Sequence, residues 1–156
     1  MATLFRPLKH GVLKIDIKDA GLVLRGCYSV VTGRNKGAYC CVKVNGANQY
    51  IHRVIMNAGP GEFVDHINNN RLDNRRANLR IVTPSQNGMN RAHGYGKSRY
   101  RGVAWRPIEK KWQAQIKSAG KYYYLGCFES EIDAAKAFNE AAIRIHGEFG
   151  KLNIIE

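Results

Sequence analysis

The first half of the chain alternates apolar and polar residues in short runs, with glycines in the breaks between them. Alternation with a period of two places successive side chains on opposite faces of a strand, and Asn45-Gly46 is a typical hairpin turn. We therefore predict a small, mostly antiparallel β unit with strands at residues 12–17, 28–32, 39–44 and 50–55.

A second pattern follows, in the order strand, loop, strand, helix. Residues 63–67 and Leu79–Val82 have strand character, and the polar stretch 68–78 between them predicts a loop. Thr83 and Pro84 stand where a helix takes its N-cap and its first residue, and Gln86 stands where a capping box is completed. The pattern therefore predicts a helix that opens after Thr83.

The last third of the chain predicts three strands and one helix. The strands are expected at residues 100–106, 112–117 and 122–128, with turns at 107–111 and 118–121. Ser130 begins another capping box, and Ala135, Phe138, Ala142 and Ile145 follow at helical spacing until Gly147. A helix of about four turns can therefore lay one face on a three-stranded sheet.

Between these parts, residues 90–99 are polar and contain two glycines without an apolar period, which is typical of a linker. We therefore predict an N-terminal domain at 1–92, a linker at 93–99 and a C-terminal domain at 100–156. The fold class expected for both domains is α+β, with the N-terminal one rich in β structure.

The charge of the chain points to a polyanionic partner. Its 25 Lys and Arg against 12 Asp and Glu give a net charge of +13. Residues 1–92 contain 14 basic and 5 acidic side chains, and the remainder contains 11 and 7, so both parts are basic. Nucleic acid is the leading candidate, and a basic surface kept for solubility is the alternative.

Other features narrow the setting in which the protein works. No run of residues is long and apolar enough for a membrane helix, and Met1 to His10 lacks the apolar segment of a secretory signal. We therefore expect a cytoplasmic protein with no membrane partner. The four cysteines lack metal-site spacing, and we expect buried, reduced thiols.

Hydrolysis of a phosphodiester needs a Lewis acid and a base that activates water. Asp65 and His66 are neighbours at the end of a predicted strand, so they point to opposite sides and can serve as metal ligand and base. Asn87 lies early in the helix predicted after Thr83, where its amide oxygen can join Asp65 on one hard ion. The spacing therefore predicts a site for Mg²⁺.

The same residues resemble a known family. Residues 50–91 resemble the HNH motif of phage and intron-encoded homing endonucleases, through the order D-H (65–66), N-L-R (78–80) and S-Q-N (85–87). The resemblance implies a ββα-metal fold, with Asp65 and Asn87 as metal ligands and His66 as general base. It implies that Asn78, included among the catalytic candidates, braces the loop. Because Asn87 replaces the family's final histidine, Mg²⁺ or Mn²⁺ is expected rather than Zn²⁺. The resemblance also implies that the protein works in a bacterial or phage-infected cytosol.

Basic side chains surround the predicted loop. Four arginines near a phosphate-cleaving centre are expected to clamp phosphates, although solvent-facing charge is the alternative. They are Arg71, Arg75, Arg76 and Arg80. His52 lies among Ile51, Val54 and Ile55, so we expect a packed side chain outside the site.

Residues 100–154 resemble the Apetala2 or ethylene-response-factor DNA-binding domain, through YRGV, KWQAQI, LGCF, AAKAFNEAA and LNI in that order. The resemblance implies a sheet that enters the major groove of DNA, with a helix behind it. The residues implied to face DNA are Arg101, Arg106, Gln115, Lys117, Tyr122 and Tyr124. Ala104, Lys117, Tyr122 and Tyr124 differ from the common plant residues, so the plant target sequence does not transfer.

Three functions remain open from the sequence. The first is a homing-type endonuclease that cleaves or nicks double-stranded DNA, with no small-molecule substrate. The second is a transcription regulator with a decayed nuclease domain, and the third is a structural nucleic-acid binder. The chain has one predicted base and metal site, so a monomer is expected to nick, and a dimer could cut both strands. A fragment that ends near Ala92 is expected to retain residual cleavage.

Overall fold

The computed structural model describes residues 2–24, 26–32, 37–90 and 97–155, and it divides the chain into two compact units. The first comprises Met1–Thr83 and the second Pro84–Glu156. The predicted domain ranges end the N-terminal part at residue 92 instead, and they stay a prediction. Most of the predicted linker, residues 93–96, lies outside the described residues.

The first unit is built from small antiparallel sheets. Strands β1 (Thr3–Leu8) and β2 (Gly11–Asp16) form a hairpin, followed by a short helix α1 (Ala20–Leu24). A three-stranded sheet then has the order β3 (Cys27–Thr32), β4 (Gly37–Val44) and β5 (Ala47–Tyr50). The Asn45-Gly46 turn joins β4 to β5, as the sequence predicts.

Strands β6 (Phe63–His66) and β7 (Leu79–Val82) pair with each other beyond helix α2 (Ile51–Met56). The apolar core of this unit joins β2, β4, α2 and β7, with Leu13, Ile15, Val42, Ile51, Ile55 and Leu79 among its buried members. The loop between β6 and β7 docks on β2, because Lys14 N donates to Leu72 O at 2.8 Å and Asn74 N donates to Lys14 O at 2.7 Å.

The strand predicted at residues 50–55 is wrong after Tyr50, which ends β5, because Ile51–Met56 form helix α2. Ile51, His52 and Ile55 are its buried residues, and this spacing covers one face of a helix. Over six residues the strand and helix periods are hardly distinguishable. Asn57, in the left-handed conformation with φ 51°, ends the helix by donating its N–H to carbonyls of the last turn.

Strand β1 was not predicted. Pro7 interrupts its pattern, but it is tolerated because β1 pairs with β2 alone in a two-stranded sheet. The four cysteines are free thiols, and Cys40 and Cys41 are buried. The predicted burial is therefore confirmed for this pair, and the reduced state stays a prediction.

The second unit begins with helix α3 (Pro84–Met89) and contains a three-stranded antiparallel sheet and helix α4 (Glu131–His146). The sheet has the order β10 (Lys121–Phe128), β9 (Lys111–Ser118) and β8 (Val103–Arg106). Ser130 Oγ accepts from Ile132 N at 3.1 Å to cap α4, and Gly147 follows its last residue with φ 54°. These local signals lie where the sequence predicts them.

Helix α4 covers one face of the sheet. Alternate residues of the central strand, Ala114 and Ile116, are buried with Ala135 and Phe138 of α4 among the residues that form the core. The mixture of helices and small antiparallel sheets agrees with the predicted α+β class. Within the described ranges, no helix is long and apolar enough to span a membrane.

Candidate active site

Asp65 and His66 are the last two residues of β6, and both side chains are buried. The antiparallel register places Asp65 opposite Arg80 and His66 opposite Leu79 on β7. The β6–β7 pair and the loop between them therefore contribute part of the surroundings of both predicted catalytic residues.

A hydrogen bond orients the Nε2 side of the His66 ring. Its Nε2 lies 3.2 Å from Oδ1 of Asn74, whose own Nδ2 donates to Arg71 O at 3.3 Å. Because that second bond turns the amide nitrogen toward a carbonyl, the amide oxygen faces His66. His66 Nε2 must then be the protonated nitrogen, and the lone pair of the neutral ring lies on Nδ1.

The surroundings of His66 favour a neutral imidazole. Burial is the main cause that lowers the pKa of His66, and the nearby Arg71 also lowers it. The hydrogen bond to Asn74 and the charges of Asp65 and Asp73 oppose this shift without cancelling it. A neutral ring is the form that can accept a proton from water.

His52, which we expect outside the site from the sequence, packs against His66. Their ring centroids lie 5.0 Å apart in an edge arrangement, and the rings of Tyr39 and Tyr50 each lie 5.5 Å from His52. Burial first, then His66 and Arg53, lower the pKa of His52 to about 3. His52 is thus a neutral, packed ring that contacts the candidate base.

Asp65 is bound by Arg80. Nε and Nη2 of Arg80 donate to Oδ2 of Asp65 at 3.1 and 2.9 Å. The Arg80 side chain is only 16% exposed, so this ion pair is largely shielded from water. The structure therefore gives Arg80 a role in orienting Asp65, and its predicted phosphate contact stays a prediction.

Asn78 braces the loop, as the resemblance implies. Its Nδ2 donates to Asp73 O at 2.8 Å and to Asn68 Oδ1 at 3.0 Å, and its Oδ1 accepts from Asn68 N at 3.0 Å. The Asn78 amide thus joins the two ends of the loop beside His66. A direct part of Asn78 in cleavage stays a prediction.

The other loop arginines have partners within the first unit. Arg75 makes two bonds to Asp73, and Arg76 makes two bonds to Asp19. The guanidinium carbon of Arg71 lies 4.9 Å from the centre of the Tyr39 ring. These contacts help to fix the loop. Binding of phosphate by the same arginines remains a prediction.

The donors proposed for a metal are hard oxygens. Among the described residues, no three His, Cys, Asp or Glu side chains gather as a metal site. Asp65 supplies a carboxylate oxygen and Asn87 an amide oxygen, and such donors fit Mg²⁺ or Mn²⁺, which complete their shells with water and phosphate. Asn87 lies in α3 of the second unit, so its pairing with Asp65 stays a prediction.

The strand register of the second unit gathers predicted DNA contacts on one sheet face. Tyr122 pairs with Lys117 and Tyr124 pairs with Gln115, and both tyrosines are 65% exposed. This is the face opposite the buried Ala114 and Ile116, since strand side chains alternate. Arg106 reaches the same face, where its Nε donates to Gln113 Oε1.

Arg101 lies before β8 rather than within it, and its guanidinium contacts α3. A cavity of about 540 Å³ lies between this helix and the sheet. Ser85 and Met89 line it together with the predicted DNA contacts Gln115, Lys117 and Tyr122. Helix α3 therefore borders the candidate DNA-binding face of its own unit.

Sequence reasoning missed Asn74, Gln113 and the acidic partners of the loop arginines. Asn74 is one of several asparagines in a polar loop, and alternation distinguishes none of them. Gln113 could have been found, since the strand period of two places it on the face of Gln115. Asp16 and Asp19 lie far from Arg76 in sequence, so only the folded chain reveals their contacts.

Comparison with known proteins supports two different similarities. Residues 49–89 match the family model described as HNH endonuclease. An uncharacterised HNH endonuclease of Acanthamoeba polyphaga mimivirus is 32% identical over 94 residues, which are 60% of this chain and 48% of the viral protein. The segment that contains Asp65, His66 and Asn78 is thus HNH-like.

The second similarity is to plant proteins. APETALA2-like protein 2 of Oryza sativa subsp. japonica is 41% identical over 54 residues, which are 33% of this chain and 12% of the plant protein. An AP2-like ethylene-responsive transcription factor of Arabidopsis thaliana is 34% identical over 58 residues, which are 37% of this chain and 12% of that protein.

The match spans about half the length of the viral relative and a small part of the plant relatives. No solved structure matches the chain significantly. The chain is therefore similar to HNH endonucleases over residues 49–89, and a separate partial similarity links it to Apetala2-like proteins.

Proposed function

We propose that the protein is a metal-dependent endonuclease that hydrolyses phosphodiester bonds of double-stranded DNA. The observation that carries this proposal is the arrangement at His66: a buried, neutral imidazole beside Asp65, with Nε2 fixed by Asn74. It lies within the HNH-like segment. A fixed imidazole next to a carboxylate supplies the base and one ligand that this hydrolysis needs.

The chemistry assigned to His66 is general-base catalysis. Nδ1 accepts a proton from the attacking water, whose oxygen forms a bond to phosphorus as the bond to the leaving oxygen breaks. Asn74 keeps Nε2 protonated, so the ring enters the reaction with its lone pair on the required nitrogen. Asn78 holds the loop that carries Asn74.

Asp65 and Asn87 are proposed to bind one divalent cation, Mg²⁺ or Mn²⁺. When bound, the ion would neutralise charge on the phosphoryl and leaving oxygens. Arg80 orients the Asp65 carboxylate through its two bonds to Oδ2. The oxygen character of the proposed donor pair supports a hard cation.

DNA binding is proposed for both units. The sheet face with Gln115, Lys117, Tyr122 and Tyr124 offers cationic and aromatic groups for phosphates, bases and sugars. We propose a homing-type enzyme whose second unit contributes affinity and site preference. With one base per chain, a monomer would nick one strand, and dimerisation would allow cleavage of both.

The alternative from another class is a DNA-binding regulator with a decayed nuclease segment. One plant relative is named a transcription factor, which favours a regulatory role for an Apetala2-like part. Asp65, His66, Asn78 and Asn87 are all present in this chain, and a regulator has no need of them. Their joint retention favours the nuclease.

The test is cleavage of supercoiled plasmid DNA with Mg²⁺ or Mn²⁺, comparing the unaltered protein with His66→Ala and His10→Ala. His10 is exposed in the β1–β2 turn and provides the matched control. We expect His66→Ala to lower the rate by about 10²–10⁴-fold with DNA affinity preserved. Binding without cleavage by the unaltered protein would instead support the regulator, and full activity of His66→Ala would refute the assignment of the base.

A further inference from the structure

Helix α3, which carries Asn87, ends against the guanidinium of Arg101. Nη2 of Arg101 donates to Gly88 O at 3.0 Å, and Nη1 donates to Met89 O. Lys151 N also donates to Met89 O at 3.2 Å. The last carbonyls of a helix lack partners within it and form the negative end of its dipole, so a bound arginine both satisfies and stabilises this end.

Helix α3 needs this support. It has six residues, none of them buried, and an isolated helix of that length is unstable in water. The Arg101 and Lys151 bonds at its C-terminal end therefore help to keep Asn87 in a helical turn.

Arg101 is itself firmly held by the second unit. Its N–H donates to Asn153 Oδ1 at 2.8 Å, and Asn153 Nδ2 donates back to Arg101 O at 3.1 Å. Asn139 of α4 bonds to Asn153 in both directions. The guanidinium carbon lies 5.6 Å from the centre of the Phe138 ring. A continuous set of contacts thus runs from α4 through Asn153 and Arg101 to α3.

We infer that Arg101 is a positioning residue for Asn87, so that metal binding by the nuclease depends on the second unit. The inference rests on the proposed role of Asn87 as a metal ligand. It replaces the expectation that Arg101 contacts DNA. It also replaces the expectation of residual cleavage by a fragment ending near Ala92, since that fragment would lack Arg101, Asn153 and Lys151.

The test measures Mn²⁺ binding to the full chain without DNA by electron paramagnetic resonance, together with amide hydrogen exchange at residues 85–90. The single variants are Arg101→Ala, Arg101→Lys and Asn87→Ala, and the double variant combines Arg101→Ala with Asn87→Ala. Arg144→Ala is the control, an exposed arginine in the last turn of α4. Exchange at the central strand β9 reports whether each variant retains the fold.

We expect Arg101→Ala to weaken Mn²⁺ binding about tenfold and to speed amide exchange at residues 85–90 while β9 stays protected. Arg101→Lys should recover part of the affinity, because it restores one cationic donor. The double variant should bind no more weakly than Asn87→Ala, since Arg101 then has no ligand to position.

Unchanged Mn²⁺ affinity in Arg101→Ala, with weakened affinity in Asn87→Ala, would overturn the inference and leave the proposed ligand role intact. Unchanged affinity in Asn87→Ala would overturn both. A double variant that loses affinity additively would assign Arg101 a separate effect on the ion and would also overturn positioning through Asn87.

Discussion

His66 and Asn74 form the hydrogen bond that orients the candidate base, with 3.2 Å between Nε2 and Oδ1. Asn74 is fully buried, and its backbone N–H is bound to Lys14 O of strand β2. The N-terminal hairpin therefore supports the β6–β7 loop directly, through a residue that contacts the His66 imidazole.

Replacing Asn74 with alanine is expected to slow cleavage about ten- to a hundredfold with little change in DNA affinity, as for other residues that orient a catalytic group. The ¹⁵N shifts of the His66 ring should report protonation at Nε2 in the unaltered protein and a mixture of tautomers in the variant. Asn48→Ala, at an exposed position of β5, is the control. An unchanged tautomer with an unchanged rate would refute the role of Asn74.

The Arg80–Asp65 pair is expected to contribute to stability. Arg80→Ala leaves the buried Asp65 carboxylate without two charge-assisted bonds and should lower the free energy of unfolding by about 1–3 kcal/mol. Urea denaturation measures this loss. In an Asp65→Asn background the same change should cost less, because the charge to be balanced is gone.

Asn48→Ala provides the comparison for Arg80, because Asn48 lies in the same unit at an exposed position of β5. Exposed substitutions of this kind change the free energy of unfolding by less than about 0.5 kcal/mol. Equal losses for the two variants, or an Arg80 loss that persists in full without the Asp65 charge, would contradict this account.

His52 predicts a specific dependence of stability on pH. Burial, with His66 and Arg53, lowers its pKa to about 3 in the folded chain, and the rings of Tyr39 and Tyr50 complete its surroundings. The unfolded chain, with a value near 6.5, binds more protons between these two pH values. This contribution to stability is therefore complete above about pH 6.5 and is lost as pH falls toward 3.

Replacing His52 with phenylalanine should reduce the slope of the free energy of unfolding against pH by up to about 1.4 kcal/mol per pH unit. Urea denaturation of the metal-free chain between about pH 7 and about pH 5 measures the slope. His10→Phe should leave it unchanged, because His10 is exposed. The same slope in His52→Phe and in the unaltered chain would disprove the assignment.

Lys117 tests the sheet face of the second unit. Lys117→Ala should weaken DNA binding and reduce the slope of log affinity against log salt by about 1, since one phosphate contact releases about one counterion. Fluorescence anisotropy of the full chain across a salt series measures this slope. Lys136→Ala is the matched control, because Lys136 is exposed on α4 behind the sheet. Equal slopes for the two variants would place DNA elsewhere.

Local sequence patterns determined much of both units. Alternation over a few residues predicts the strand that ends at Asp65 and His66. It also predicts the strand, loop and strand that precede α3, and the three strands before α4. The Ser130 cap and the Gly147 end of α4 are equally local, because each depends on the chemistry of one or two side chains next to the helix.

Only the tertiary structure decided which side chains meet. Residues 50–55 form strand and helix patterns almost equally well, and burial of Ile51, His52 and Ile55 against the core selects the helix. The partners of Arg76 lie in the N-terminal segment, and the partners of Arg101 lie on α3 and near the C-terminus. Such pairs depend on how distant segments are brought together, and periodicity, which describes only neighbours along the chain, does not contain that information.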